Sequence, residues 1–141
     1  MSGFDLDRFV AAQAPVYAAA LAELTAGDKR THWMWFVFPQ LAALGRSDRA
    51  KFYGLAGLDE ARAYLGHALL GARLIACTSA VLAVDGRSAH AIFGDTDGLK
   101  FRSSMTLFGR AAPAEPLFGQ ALGKYFAGAE DPATLALLGP S

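Results

Sequence analysis

The chain has 141 residues, of which 53% are hydrophobic and 18% charged. This length is typical of one domain with one core, and a fraction of apolar residues this high excludes a disordered chain. Basic and acidic residues number 13 each, so there is no net positive charge to attract a polyanion. General nucleic-acid binding is therefore not expected.

Cysteine usage and the N-terminus bear on location. The sequence contains one cysteine, Cys77, and no cysteine or histidine spacing typical of a zinc site. The first residues lack the pattern of a signal peptide, and no window approaches the ~20 apolar residues that span a bilayer. We expect a protein of the cytoplasm with no membrane contact, no metal and no cofactor, and the sequence leaves its oligomeric state open.

Proline, glycine and N-cap residues divide the first half of the chain into short helical segments. Residues 6–25 have helical periodicity interrupted at Pro15, which is predicted to open a second helix that ends at Gly27. Ser47 and Asp59 are predicted N-caps of two further short helices.

The second half follows the same pattern. Residues 68–84 carry apolar side chains at intervals of three and four, which predicts an amphipathic helix. Ser88 is predicted to cap a short helix, another helix is predicted over residues 99–110, and the last two helices are predicted to begin at Pro116 and at the N-cap Asp131. The sequence thus predicts an all-α, compact single-domain bundle of about six to eight short helices over residues 5–138, with a small strand pair near Val37 or Ile92 left open.

Residues 32–40, HWMWFVFPQ, are called the aromatic segment below. On a helix, Trp33 and Phe36 share one face, whereas Trp35 and Phe38 lie on another. The segment must therefore be buried on nearly all sides, as part of the core, or one of its faces must line a cleft.

Polar residues accompany this segment. His32 and Gln40 flank the aromatic side chains. Pro39 interrupts a helix, which would leave carbonyls of the preceding turn free to bind a side chain, water or ligand.

A second polar stretch begins at Asp97, where Lys100, Ser103 and Ser104 follow within the first turns of the predicted helix. A helix N-terminus together with a lysine can hold a phosphate or carboxylate. In the alternative interpretation, Thr96 or Asp97 is an N-cap and the serines bond carbonyls of their own helix.

Several segments are shared with a known family: HWMWFVFPQL (32–41), GRS (45–47), EARAYL (60–65), IFG (92–94) and LKFRSSMTLF (99–108). On these, residues 6–138 resemble the bacterial domain-of-unknown-function family eighteen-ten. The resemblance implies an all-helical cytoplasmic domain of about this length, without an established activity. Some members carry the label calpastatin, an inhibitor that is a flexible polar chain, whereas this composition predicts a chain that folds by itself.

A fainter similarity is to helical proteins proposed to process ADP-ribose and related nucleotides. Residues 92–95 and 104–107 stand in comparable places, although Phe93 replaces the tryptophan of that pattern. The similarity implies a nucleotide-like ligand.

Two hypotheses of function follow. In the first, a small phosphate-containing ligand, a nucleotide or an ADP-ribose-like molecule, binds between the aromatic segment and helix 97–108, and a glycosidic bond is hydrolysed. His32 and Asp97 are the candidate acid and base. The candidate ligand-binding residues are Trp33, Trp35, Gln40, Lys100, Ser103 and Ser104. In the second hypothesis, the protein is a non-catalytic interaction or structural module with no ligand.

Overall fold

The computed structural model of the chain describes residues 3–139. The helices within this range are α1 (Asp7–Gln13), α2 (Tyr17–Thr25), α3 (Met34–Val37), α4 (Asp48–Phe52), α5 (Leu58–Gly66), α6 (Ala68–Leu82), α7 (Ala89–Phe93), α8 (Asp95–Ala111), α9 (Leu117–Phe126) and α10 (Pro132–Leu138), with a 3₁₀ turn at Ala42–Leu44. The all-α class is confirmed. The described range holds ten α-helices, where about six to eight were expected, because several are only one turn long.

The predicted N-caps explain where three of the helices begin. Ser47 Oγ accepts a hydrogen bond from Ala50 N at 3.0 Å, and Ser88 Oγ accepts one from Ala91 N at 3.0 Å. Asp131 caps α10 in the same way. Because these side chains satisfy N–H groups that the helix itself leaves unpaired, the three predicted starts are confirmed.

Two other helix starts differ from the prediction. Asp59 lies inside α5, whose N-cap is Gly57, so the prediction of Asp59 as an N-cap was wrong. Helix α8 begins at Asp95, earlier than residue 99, and its N-cap is Gly94 with φ 82°. Asp97 therefore lies in the first turn of α8, where a carboxylate faces the positive end of the helix dipole.

Helix α8 is the centre of the fold and contacts α5, α7, α9 and α10. Its inner face buries Phe101, Met105 and Phe108 completely. The aromatic segment packs against this face, since the Phe38 ring lies edge-on to Phe101 with 5.0 Å between centroids. The two segments singled out in the sequence therefore meet in the core.

In residues 3–139 the chain forms no strand, and one isolated parallel bridge joins Leu41 to Leu55. In this bridge Ala42 N donates to Leu55 O and Leu55 N donates to Gln40 O, each at 2.9 Å. Gly54 makes the approach possible, because a Cβ there would lie 2.2 Å from Ala42 Cα. The 3₁₀ turn is thus held in place by backbone hydrogen bonds to Leu55 and by backbone packing against Gly54.

Within residues 3–139 no single helix is long and apolar enough to cross a membrane. Helices α5 and α6 together have the length and composition of a membrane-spanning segment, but the chain bends by 94° at their junction.

Candidate ligand-binding groove

Trp33 belongs to the core. Its side chain is completely buried, its indole Nε1 donates to Glu23 Oε1 at 3.0 Å, and Lys29 Nζ lies 4.8 Å from the ring centroid. With both its polar atom and its faces occupied, Trp33 has no surface on which a base could stack. The expectation that it lines a cleft was wrong.

Phe36 O, a carbonyl in the turn before Pro39, is bound by protein side chains. Gln13 Nε2 donates to Phe36 O at 2.7 Å, and the Tyr64 hydroxyl lies 3.3 Å from the same oxygen. Gln13 Nε2 is also 2.9 Å from the Tyr64 hydroxyl. Burial raises the pKa of Tyr64, so its phenol stays a neutral donor. Phe36 O is therefore satisfied inside the core and is not available to a ligand.

A groove of about 710 Å³ runs between α8, the loop before α4 and the start of α10. We call it the α8 groove; its lining residues are Gln40, Leu44, Gly45, Arg46, Ser47, Ala50, Thr96, Leu99, Lys100, Ser103, Asp131 and Ala133. Pockets that hold small organic ligands measure roughly 300–1,000 Å³. The groove is therefore large enough for a ligand the size of a nucleotide.

Two cationic side chains, Arg46 and Lys100, line the groove, and the Lys100 side chain is about a quarter exposed. Lys100 Nζ also lies 5.6 Å from the ring centroid of Trp35, and the Arg49 guanidinium lies 5.1 Å from the same ring. Half-buried Trp35 adjoins the groove rather than lining it: with Gln40 and Lys100 it borders a cavity of about 10 Å³. A space this small is at the limit for one water molecule.

Asp97 is occupied by an ion pair. Its Oδ2 lies 2.8 Å from Lys29 Nζ, and its Oδ1 lies 3.9 Å from Lys100 Nζ. The Lys29 side chain is only 6% exposed, so this pair is shielded from solvent. Asp97 thus positions Lys100 and does not line the groove.

Ser103 and Asp131 form a polar cluster on the groove wall. Ser103 Oγ lies 3.1 Å from Leu99 O, as the alternative interpretation of this serine expected, and 3.2 Å from Asp131 Oδ2. The same Oδ2 accepts hydrogen bonds from Thr134 N at 3.0 Å and from Thr134 Oγ1 at 2.6 Å. Asp131 lines the groove, and its Oδ1 receives no hydrogen bond from residues 3–139.

The remaining candidates lie elsewhere. Ser104 is completely buried, and its Oγ has no hydrogen-bond partner within the described part of the chain. His32 is exposed and does not line the groove. The N-terminus of α8 carries Asp95 and Asp97 in its first turn, and neither residue lines the groove. The structure therefore does not bring His32, Asp97 and Ser104 together around a ligand site.

Four polar residues that line the groove are not among the ligand-binding residues predicted from the sequence, namely Arg46, Ser47, Thr96 and Asp131. Ser47 and Asp131 were interpreted only as N-caps. Arg46 and Ser47 belong to the GRS segment of the family resemblance, which was the available signal for them.

Comparisons with known proteins agree with the resemblance found in the sequence. The family model described as "Protein of unknown function (DUF1810)" matches residues 3–138. The crystal structure of the conserved hypothetical protein Rv1873 from Mycobacterium tuberculosis is similar with a TM-score of 0.96 and 57% sequence identity, covering 98% of this chain and 99% of that chain. No curated protein matches the chain.

Proposed function

Since this chain belongs to the DUF1810 family, whose description assigns no activity, we propose from its own geometry that it binds a small phosphate-containing ligand in the α8 groove. The observation that carries the proposal is that two cationic residues, Arg46 and Lys100, line a groove of ligand size. Hydrogen bonds between a cation and a phosphate are shorter and stronger than those between neutral groups. Gln40, Ser47 and Ser103 add neutral polar groups to the lining of the groove.

The geometry supports binding without hydrolysis of a glycosidic bond. Most glycosidases place two carboxyl groups on either side of the scissile bond. Within the described residues the α8 groove is lined by one carboxylate, Asp131, and its Oδ2 already caps α10. His32 lies off the groove and Asp97 is paired with Lys29. The proposed role is therefore that of a binding protein.

Thermal denaturation in the presence of nucleotides, ADP-ribose and inorganic phosphate tests the proposal. A ligand that binds only the folded state raises the melting temperature, and the shift grows with ligand concentration. The matched variants are Lys100→Ala, which removes a groove cation, and Lys51→Ala, which removes an exposed lysine that does not line the groove. Asp97 keeps its ion pair with Lys29 in the first variant, so the fold is expected to persist.

We expect Lys100→Ala to weaken binding of the active compound about tenfold, which corresponds to about 1.4 kcal/mol, and Lys51→Ala to leave it unchanged. Chromatography of the incubated compounds is expected to show no hydrolysis product. Equal loss of binding in both lysine variants, or no shift with any compound, would count against the groove and favour the alternative, a structural or interaction module without a ligand.

A further inference from the structure

Among residues 3–139, the α8 groove is lined by two cations and one carboxylate. The carboxylate can distinguish between phosphate-containing ligands that differ in their other polar groups. Asp131 is fixed through Oδ2, which accepts hydrogen bonds from Thr134 N at 3.0 Å and Thr134 Oγ1 at 2.6 Å and lies 3.2 Å from Ser103 Oγ. Its Oδ1 receives no hydrogen bond from residues 3–139. An ionised carboxylate can only accept hydrogen bonds, and it repels a bare anion. A ligand that contacts Asp131 in the groove is therefore bound more tightly if it presents a donor to this carboxylate.

Hydroxyl groups are the donors that fit the rest of the wall. An ammonium group would meet Arg46 and Lys100, which repel it, whereas a hydroxyl can donate to Asp131 and also accept from Gln40. We propose that the α8 groove is specific for phosphate esters of hydroxylated sugars, with the phosphate at Arg46 and Lys100 and a sugar hydroxyl donating to Asp131 Oδ1. This inference rests on the proposed function and adds the class of ligand.

The substitution Asp131→Asn separates this role from the role of Asp131 in the fold. Asparagine is as good an N-cap as aspartate, and its side-chain oxygen can accept the bonds from Thr134 and Ser103. Its amide nitrogen then replaces the free Oδ1, so an acceptor on the groove wall becomes a donor and one negative charge is lost. Asp59→Asn is the matched control, because it removes the same charge from an exposed carboxylate on α5 that does not line the groove.

The experiment is isothermal titration of the whole chain with ribose 5-phosphate and with inorganic phosphate, at one pH and one ionic strength. For the natural sequence and for Asp59→Asn, we expect ribose 5-phosphate to bind at least tenfold more tightly than inorganic phosphate. In Asp131→Asn this ratio is expected to fall about tenfold, because the sugar loses its acceptor and the free anion loses a repulsive neighbour.

The outcomes are distinguishable from those of the proposed function. Equal affinity for the two compounds in the natural sequence, or an unchanged ratio in Asp131→Asn, overturns the sugar specificity and leaves a phosphate-binding groove standing. Absence of binding by both compounds overturns the proposed function and the specificity together.

Discussion

The Glu23 carboxylate and the buried Trp33 indole are joined by a hydrogen bond of 3.0 Å between Oε1 and Nε1. The same carboxylate accepts hydrogen bonds from Arg30 N at 2.8 Å, from Thr31 N at 3.0 Å and from Thr31 Oγ1 at 2.6 Å. One side chain of α2 thus holds the segment that leads into α3 and fixes the ring at its start. The aromatic segment is therefore positioned by a charged residue outside it.

A double-mutant cycle measures this link. We expect Glu23→Ala to lower the free energy of unfolding by about 1–3 kcal/mol, because the indole N–H is then buried without a partner. In a Trp33→Phe background there is no N–H to leave unpaired, so the same substitution is expected to cost less. Urea unfolding of the four proteins gives the coupling energy. A coupling of zero would show that the hydrogen bond contributes nothing to stability.

The pH dependence of stability follows from the same carboxylate. Partial burial acts to raise the pKa of Glu23, but the hydrogen bonds from Thr31, Arg30 and Trp33 outweigh it and lower the pKa from 4.5 to about 2. Between these values the unfolded chain binds more protons than the folded one, so stability falls as the pH falls.

We therefore expect the difference in unfolding free energy between the natural sequence and Glu23→Gln to be constant above pH 4.5 and to shrink as the pH falls towards about 2. Chemical denaturation at a series of pH values measures it. A difference that stays the same down to pH 2.5 would mean that Glu23 has an ordinary pKa in the folded protein.

The buried polar network around Phe36 O gives a third prediction. Gln13→Leu removes the donor at 2.7 Å from that carbonyl and the amide oxygen that faces Arg73 Nη1 at 3.4 Å. We expect a loss of about 2–3 kcal/mol, because buried polar groups lose their partners. Tyr64→Phe removes only the hydroxyl, 3.3 Å from the carbonyl, and is expected to cost about 1 kcal/mol. Urea denaturation decides the order, and a larger loss for Tyr64→Phe would contradict it.

The cap of α10 gives a fourth prediction. Asp131→Ala is expected to lower the free energy of unfolding by about 1 kcal/mol, since the Thr134 N–H loses its acceptor at 3.0 Å, whereas Asp131→Asn is expected to change it by a few tenths. Thermal and urea unfolding compare the two variants. Equal destabilisation by alanine and asparagine would show that the negative charge of Asp131, rather than its acceptor geometry, holds the helix.

What the sequence predicts well in this protein is local. Ser47, Ser88 and Asp131 each bond an N–H three residues further along, so the pattern that predicts them lies within one turn of chain. For the aromatic segment, two alternatives were open, burial on nearly all sides or one face lining a cleft. The first describes Trp33, Met34, Val37 and Phe38, which are at most 2% exposed. It could be considered at all because the face that a residue occupies on a helix depends only on neighbouring positions.

The candidate site was harder to predict because its members come from distant parts of the chain. Of the six predicted ligand-binding residues, Gln40, Lys100 and Ser103 line the α8 groove and Trp35 adjoins it. Lys29 is paired with Asp97 and Glu23 with Trp33, and no local pattern indicates either contact. These tertiary contacts determine that Trp33 is buried while Trp35 is partly exposed, and that the Asp97 carboxylate is occupied by an ion pair.

The contact between the backbones of Gly54 and Ala42 has a kinetic consequence. Two backbone hydrogen bonds of 2.9 Å hold the 3₁₀ turn that precedes the loop carrying Arg46. The turn also packs directly against the backbone of Gly54, where there is no side chain that could change rotamer. That wall of the groove is formed before any ligand arrives. For the ligand proposed above, association is then expected to need no prior rearrangement of this loop, so that its observed rate rises in proportion to ligand concentration instead of reaching a plateau.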